Sequence, residues 1–120
     1  MQTLLPPLSE PVKLTLSSCQ QNLRQHYSSK LRALILYGSA AKQQLTPHSD
    51  LDLLVLLDPP LDYFQKLRTI VNLLYPLQLH ASHWISAKPA ATNEFEQGLI
   101  QLYRNIHEEG ISVFEEEISL

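Results

Sequence analysis

Apolar residues near the start of the chain recur at the three- and four-residue spacing of an amphipathic helix. This spacing predicts a helix over residues 9–29, with Ser9 as its N-cap and Pro11 in the first turn. Its buried stripe consists of Val12, Leu16, Cys19, Leu23 and Tyr27. Because Cys19 lies in this stripe, we expect it to be a small core residue rather than a nucleophile.

Two short apolar runs follow, each with the length of a buried strand. The first covers Leu31–Tyr37 and stops at Gly38, and the second covers Leu51–Leu57 after a turn at residues 47–49. Helical spacing then resumes and ends at Pro76, with a stripe of Leu61, Phe64, Leu67, Val71 and Leu74. Residues 77–84 are predicted to form a third strand.

The remaining pattern predicts a loop, a helix and a last strand. Residues 87–91 are predicted to be the loop, Asn93 and Glu96 resemble a capping box, and Gly110 ends the helix before an edge strand at residues 111–114. The buried stripe of this helix is Phe95, Leu99, Leu102 and Ile106. Alternation of helix and strand predicts one α/β domain over residues 1–120, with a leader at 1–8 and a core at about 9–114.

Composition narrows the possible functions. The chain has 120 residues, 44% of them apolar, which is enough for one core without disulfide or metal support. Twelve acidic residues against nine Lys plus Arg give a net charge of −3, which disfavours nucleic acid as the main ligand. The single Cys19 excludes an internal disulfide, and no apolar run is long enough for a membrane span or signal peptide. We therefore expect a soluble, cytoplasmic protein.

Two aspartates stand at the mouth of the second strand. Because side chains alternate across a strand, Asp50 and Asp52 point to one face, while Leu51 and Leu53 point into the core. Two like charges so close together favour a cation between them, and Mg²⁺ prefers carboxylate, phosphate and water oxygens. Taken alone, the pattern is explained more simply as a polar strand start.

Gly38 and Ser39 make the metal hypothesis stronger. A glycine at a strand end allows close approach to a ligand, and backbone N–H groups with a Ser hydroxyl before a short helix at residues 40–42 form a phosphate cradle. Lys42 would lie near that phosphate as a point charge. Tyr37 precedes the cradle and is either an aromatic platform for the base or, more simply, a core residue.

The segment Gly38-Ser39, ten residues, then Asp50-x-Asp52 resembles the nucleotidyltransferase signature of the DNA polymerase β superfamily. The short chain and the ending at residues 106–111 resemble its minimal nucleotidyltransferase (MNT) branch. The resemblance implies a polymerase β-like α/β fold with a small mixed sheet, and transfer of a nucleoside monophosphate from a triphosphate with Mg²⁺. Many MNT proteins are antitoxins that add AMP from ATP to a tyrosine of a partner HEPN ribonuclease toxin.

Carried onto this chain, the resemblance implies that Gly38 and Ser39 hold the triphosphate and that Asp50 and Asp52 bind the metal ions. The family's third carboxylate usually stands on the next strand, and the predicted strand at residues 77–84 contains no acid. Gln78 could replace it as a metal ligand, and His80 could replace it as a general base.

This chain departs from the family pattern in ways that leave open an alternative to catalysis. Besides the missing acid, Lys42 and Gln43 stand where family members often carry Arg and Gly, so charge is kept but bidentate phosphate binding is lost. The alternative is a degenerate nucleotidyltransferase fold that neutralises its partner by contact alone. A glycosyltransferase-like Asp-x-Asp site is a third and weaker interpretation, and a zinc site at His80 and His83 is disfavoured because no third ligand is evident.

Overall fold

A computed structural model describes residues 7–115 of the chain, with side chains as far as Val113. Most of the predicted leader and the last five residues of the predicted domain lie outside this range. The elements are α1 (Glu10–Tyr27), a 3-10 turn (Ser28–Lys30), β1 (Leu31–Tyr37), β2 (Leu51–Leu57), α2 (Tyr63–Gln78), β3 (Ile85–Ala91), α3 (Thr92–Glu96), α4 (Gln101–Glu109) and β4 (Ile111–Glu115).

The four strands form one mixed sheet in the order β3-β2-β1-β4. Strand β1 is antiparallel to both β2 and β4, whereas β2 and β3 are parallel. The two central strands are the two apolar runs of the sequence, as expected for strands covered on both faces. The α/β fold class and the bounds of β1 and β2 are therefore confirmed.

Each face of the sheet is covered by helices. On one face, side chains of β1 and β2 pack against α1 and α2, as in the cluster of Leu16, Leu23, Leu36, Leu53 and Ile70. On the other face, α3 and α4 cover the strands through a second cluster, which includes Ile35, Tyr37, Leu54, Phe95 and Ile106. Asp52 lies on this second face, because it pairs with Tyr37 across the antiparallel strands.

Helix α1 agrees with its sequence prediction. Ser9 caps it, with its hydroxyl accepting a hydrogen bond of 3.4 Å from Val12 N, and all five residues of the predicted stripe are buried. Burial raises the pKa of the Cys19 thiol to about 12, which keeps the thiol neutral and confirms its role as a core residue. Neither α1 nor any other helix within residues 7–115 has the length and hydrophobicity needed to cross a membrane.

The predicted third strand at residues 77–84 is wrong, and so is the predicted helix end at Pro76. Helix α2 continues through Pro76 to Gln78, and the side chain of Leu79 is 65% exposed. The Gln78 amide explains this ending, because it donates to His83 O at 3.0 Å and accepts from Ile85 N at 2.7 Å. These two bonds attach the end of α2 to the start of β3.

Strand β3 instead occupies Ile85–Ala91, a range that includes the predicted loop. Pro89 is tolerated because β3 is an edge strand, where one side of the backbone needs no partner strand. Ala87, Ala90 and Ala91 are buried although alanine is a poor strand former. Packing against β2 and α2 thus outweighs the local preference of this segment.

The buried side of α2 differs from the predicted stripe. Phe64 is 72% exposed and Val71 is 54% exposed, whereas Ile70 is fully buried and Leu74 nearly so. The helix is therefore rotated relative to the stripe read from the sequence, and several of its apolar residues face outward.

The predicted last helix is two helices. Gly98, with φ +62, lies between α3 and α4, and Leu99 is 56% exposed. Asn93 lies inside α3, whose N-cap Ala91 makes no side-chain cap bond, so the predicted capping box is wrong. Gly110 is the C-cap of α4 and β4 follows it, as predicted.

Leu53→Ala, compared with Leu79→Ala, tests which of these two leucines lies in the core. Leu53 is fully buried in β2, so we expect a loss of about 2–5 kcal/mol in the free energy of unfolding, measured with urea. Leu79→Ala is the matched control, because the same substitution at an exposed site costs within about 0.5 kcal/mol. An equally large loss in Leu79→Ala would mean that Leu79 is buried, as the wrong strand assignment requires.

Candidate functional site

The end of β1 meets the start of β2 at a close contact between Gly38 and Asp52. Tyr37 and Asp52 are partners across the antiparallel strands, and Gly38 follows with φ +72. A Cβ atom at position 38 would overlap the Oδ2 atom of Asp52. Only glycine therefore allows the Asp52 carboxylate to lie against the backbone at this point.

The segment after Gly38 turns tightly. Lys42 N donates to Gly38 O at 3.3 Å and Gln44 N donates to Ser39 O at 2.8 Å. The short helix predicted at residues 40–42 is not formed, because residues 38–43 are consecutive turns. Gln43 has φ +59, a left-handed conformation that favours glycine.

The two aspartates differ in their surroundings. Asp50 is exposed, Asp52 is half-buried, and Leu51 and Leu53 are buried in the opposite direction, as predicted. Burial raises the pKa of Asp52, the charge of Asp50 raises it further, and the charge of Lys88 lowers it. The surroundings of Asp52 thus disfavour its ionised form, as is common for carboxyl groups at functional sites.

The turn before Asp50 is fixed by hydrogen bonds. Ser49 Oγ accepts from Thr46 N at 3.0 Å, and Ser49 N donates to Thr46 O at 3.0 Å. The His83 imidazole Nε2 lies 3.1 Å from the same Thr46 carbonyl oxygen, which connects this turn to the segment before β3. The first carboxylate is therefore positioned by both neighbouring loops.

The residues beside Asp52 on the next strand are Ser86 and Lys88. In the parallel β2–β3 pair, Ser86 is the partner of Asp52, and Lys88 is the partner of Leu54. The sequence missed both residues, because it placed β3 about eight positions too early. The Pro-Ala-Ala ending of β3 is compatible with an edge strand, but it lacks β-branched residues and therefore gives only a weak strand signal.

Gln78 and His80 do not lie on a strand next to Asp52, so the reason for assigning them as replacement ligand and base is removed. Gln78 ends α2 with both ends of its amide hydrogen-bonded. His80 follows that helix and lines a surface groove with Leu14 and Leu77. The zinc hypothesis is also not supported, since no group of three His, Cys, Asp or Glu side chains in the described residues is arranged to hold a metal ion.

Lys42 and Tyr37 both make other contacts. The Lys42 ammonium lies 3.2 Å from Glu109 Oε2 at the end of α4. Tyr37 is a core residue, as the simpler interpretation predicted, and burial together with the charge of Asp52 raises its pKa to about 12. Both side chains therefore already interact with other parts of the protein.

The donor set of the site fits one Mg²⁺ ion. Asp50 and Asp52 offer carboxylate oxygens at the start of β2, and the Asp52 carboxylate lies directly against the Gly38 backbone of the turn. β3 carries no acidic residue, and the described residues hold no third carboxylate near the pair. The arrangement thus has donors for a single divalent ion and its phosphate ligands.

An apolar groove of about 240 Å³ lies between α2 and β3, and Ser86 is part of its lining. Three aromatic residues, Tyr63, Tyr75 and Trp84, also line it, and Trp84 and Tyr75 are 65% and 61% exposed. Surfaces of this kind are typical of protein contacts or ligand grooves. The groove is adjacent to the strand that neighbours Asp52.

Comparison with known families identifies the family to which this fold belongs. The profile described as "Polymerase beta, Nucleotidyltransferase" matches residues 18–118. The chain therefore belongs to the polymerase β nucleotidyltransferase family, as its motif indicated. Family membership supports nucleotidyl transfer as the class of activity.

Solved structures agree with this fold. One, described as a toxin-antitoxin with AMP-PNP, is 16% identical with a TM-score of 0.59, over 91% of this chain and 76% of that chain. A second, described as a mutant of the toxin-antitoxin MntA-HpeT, is 20% identical with a TM-score of 0.51, over 92% of this chain and 76% of that chain. A comparison with curated proteins gives no match.

Gly38→Ala tests the contact between Gly38 and Asp52. We expect a loss of about 1–2 kcal/mol in the free energy of unfolding from the left-handed backbone, and a loss of about tenfold or more in Mg²⁺·ATP affinity from the displaced carboxylate. Thermal melts and titration calorimetry measure the two effects.

Gly98→Ala is the matched control. Gly98 has a similar φ of +62, but its added Cβ would meet only the flexible Arg104 side chain. It should lose similar stability and keep its nucleotide affinity. Equal losses of affinity in both variants would contradict the proposed role of Gly38.

Asp52→Asn tests the electrostatics of the site. Because folding raises the pKa of Asp52, its carboxyl favours folding most at low pH, and this contribution is lost as the pH rises through the raised value. We therefore expect the melting temperature of Asp52→Asn, relative to the unsubstituted protein, to increase between about pH 3 and pH 7 in buffer with EDTA.

Asp62→Asn is the control for this series. Asp62 caps α2, and asparagine caps a helix about equally well, so no gain in melting temperature is expected at pH 7. A melting-temperature difference between Asp52→Asn and the unsubstituted protein that stays constant or falls from about pH 3 to pH 7 would contradict the electrostatic explanation.

Proposed function

We propose that this protein is an Mg²⁺-dependent nucleotidyltransferase that transfers AMP from ATP to a hydroxyl of a partner HEPN toxin, with tyrosine as the acceptor. In this role it acts as a cytoplasmic antitoxin. The observation that carries the proposal is the Gly38 backbone against the Asp52 carboxylate, with Asp50 beside them. Family membership and this geometry together favour a triphosphate at the Gly38-Ser39 turn.

The residues have distinct roles in this proposal. Gly38 and Ser39 hold the triphosphate through backbone N–H groups and the Ser39 hydroxyl. Asp50 and Asp52 would hold Mg²⁺, which when bound neutralises phosphate charge. The acceptor hydroxyl oxygen forms a bond to the α-phosphorus as the bond to pyrophosphate breaks, and the hydroxyl proton is lost to solvent. The protein's contribution is to orient these groups and to hold charge in place.

A protein acceptor is supported by three observations. The net charge of −3 disfavours a nucleic-acid acceptor. Two structures with the same fold are described as toxin-antitoxin complexes. The exposed apolar groove along β3 offers a contact surface beside the site. A toxin protein as the acceptor is consistent with all three observations.

One observation favours a second candidate function. Strand β3 has no acidic residue, and Lys88 stands on the strand where the family's third carboxylate usually lies. A degenerate nucleotidyltransferase fold that binds and neutralises the toxin by contact alone would tolerate this difference. The two candidates make opposite predictions about transfer.

Transfer is tested by mass spectrometry. The purified protein is incubated with ATP, Mg²⁺ and the HEPN protein encoded by the neighbouring gene, and the mass and modified residue of that partner are followed. We expect AMP on a tyrosine, with at least about a hundredfold lower rate in Asp50→Asn and in Asp52→Asn, because charge stabilisation worth several kcal/mol is lost.

Asp62→Asn, which changes the same charge at the start of α2, should leave the rate unchanged. Absence of transfer, together with neutralisation of the toxin by the Asp50→Asn/Asp52→Asn double variant, would contradict the enzyme and favour the binding module.

A further inference from the structure

Lys88 is a cation on the strand next to Asp52, on the same face of the sheet. Ser86 is directly opposite Asp52 in the parallel ladder, and Lys88 is two residues further along. Since side chains alternate, Ser86, Lys88 and Ala90 share one face of β3. Ala90 lies in the same cluster as Leu54 and Tyr37, which is the face that carries Asp52. The Lys88 side chain therefore belongs to the face of the site.

The charge of Lys88 acts on Asp52. Lys88 lies on the adjacent strand and on the same face, close enough for its positive charge to offset part of the negative charge of Asp50 and Asp52. Within residues 7–113, Lys88 makes no ion pair of its own, whereas Lys42 is paired with Glu109 at 3.2 Å. Lys88 is also exposed, so its ammonium is accessible to a ligand of the site.

Among the residues that the structure describes, the donors near the Gly38-Ser39 turn are too few for a pair of metal ions. Two divalent ions about 4 Å apart share several carboxylate oxygens, and a symmetric clamp of this type uses both ions to hold charge. Here Asp50 and Asp52 are the carboxylates, and the described residues contain no group of three potential ligands. The residue types of β3 are apolar apart from Ser86 and Lys88.

A single Mg²⁺ leaves an excess of negative charge. Two aspartates and a triphosphate carry about six negative charges against two positive charges on one ion. Lysine is a compact point charge on a flexible stem and is a common ligand of phosphate oxygens. A lysine on the strand beside the metal ligands thus supplies part of the missing positive charge without a second ion.

We propose that Lys88 binds the nucleotide phosphates beside Asp52 and replaces a second divalent ion, so that this site takes one metal ion per nucleotide. The proposal rests on the proposed function, because it assumes that a nucleoside triphosphate binds at Gly38 and Ser39. In this proposal Lys88 is a binding residue of the site. Because β3 carries this lysine and no acid, the site binds one metal ion instead of two.

The test counts metal ions and does not depend on transfer. AMP-PNP is the nucleotide probe and Mn²⁺ the metal probe, with free Mn²⁺ measured by electron paramagnetic resonance and AMP-PNP affinity by calorimetry. We expect one bound Mn²⁺ per complex in the unsubstituted protein. We expect Lys88→Met to keep one Mn²⁺ but to bind AMP-PNP at least about tenfold more weakly, because a charged phosphate contact is lost.

Lys88→Glu is the decisive variant. It places a third carboxylate on the same face of the sheet as Asp52, two residues along β3 from the Asp52 partner Ser86, so we expect two bound Mn²⁺ ions per AMP-PNP complex. Lys30→Glu is the control, because it makes the same charge change just before β1, at the opposite end of that strand from Gly38. This variant should bind one Mn²⁺ and have an unchanged affinity for AMP-PNP. Circular dichroism and melting temperature check that both variants are folded.

The outcomes separate the two proposals. Two Mn²⁺ ions in the unsubstituted complex, unchanged AMP-PNP affinity in Lys88→Met, or one Mn²⁺ in a folded Lys88→Glu complex would overturn the role of Lys88 alone. Failure of the unsubstituted protein to bind AMP-PNP with Mn²⁺ would overturn the nucleotide site, and with it both proposals.

Discussion

The close approach of Gly38 to the Asp52 carboxylate is the constraint on which the site depends. It exists because β1 and β2 are antiparallel neighbours, so the end of one strand lies beside the start of the other. A side chain at position 38 would occupy the place of the carboxylate. The central strands thus serve two purposes, since their apolar residues form the core and their polar ends bring a backbone turn and two acids together.

The cost of this arrangement is electrostatic. Asp52 is partly buried next to another acid, and its raised pKa records that the ionised form is disfavoured in the folded protein. Such a carboxylate is of little use to stability and is well suited to bind a cation. Lys88 partly offsets the charge from the neighbouring strand. The net charge of these two acids and one lysine therefore determines how much positive charge a bound cation would need to neutralise the site.

The sequence predicted the parts of the fold that depend on strong local patterns. The stripe of α1, the two apolar strands and the placement of Gly38, Asp50 and Asp52 at the strand ends all follow from patterns local to the sequence. Residues that depend on partners distant in sequence were harder to predict. The small side chains of β3 become a strand only because they pack against β2 and α2, and Pro76 remains helical because Gln78 bonds to the segment that follows.

The same reason explains the missed site residues. Ser86 and Lys88 lie on the strand beside Asp52 because of the register of the parallel strands, which no short motif encodes. The most direct test of the account is paramagnetic broadening of backbone amide signals by Mn²⁺·AMP-PNP. The account predicts the strongest broadening at Gly38, Ser39, Asp50 and Asp52, with weaker broadening at Lys88. Broadening centred on the groove at Tyr75 and Trp84, or none near Gly38, would contradict it.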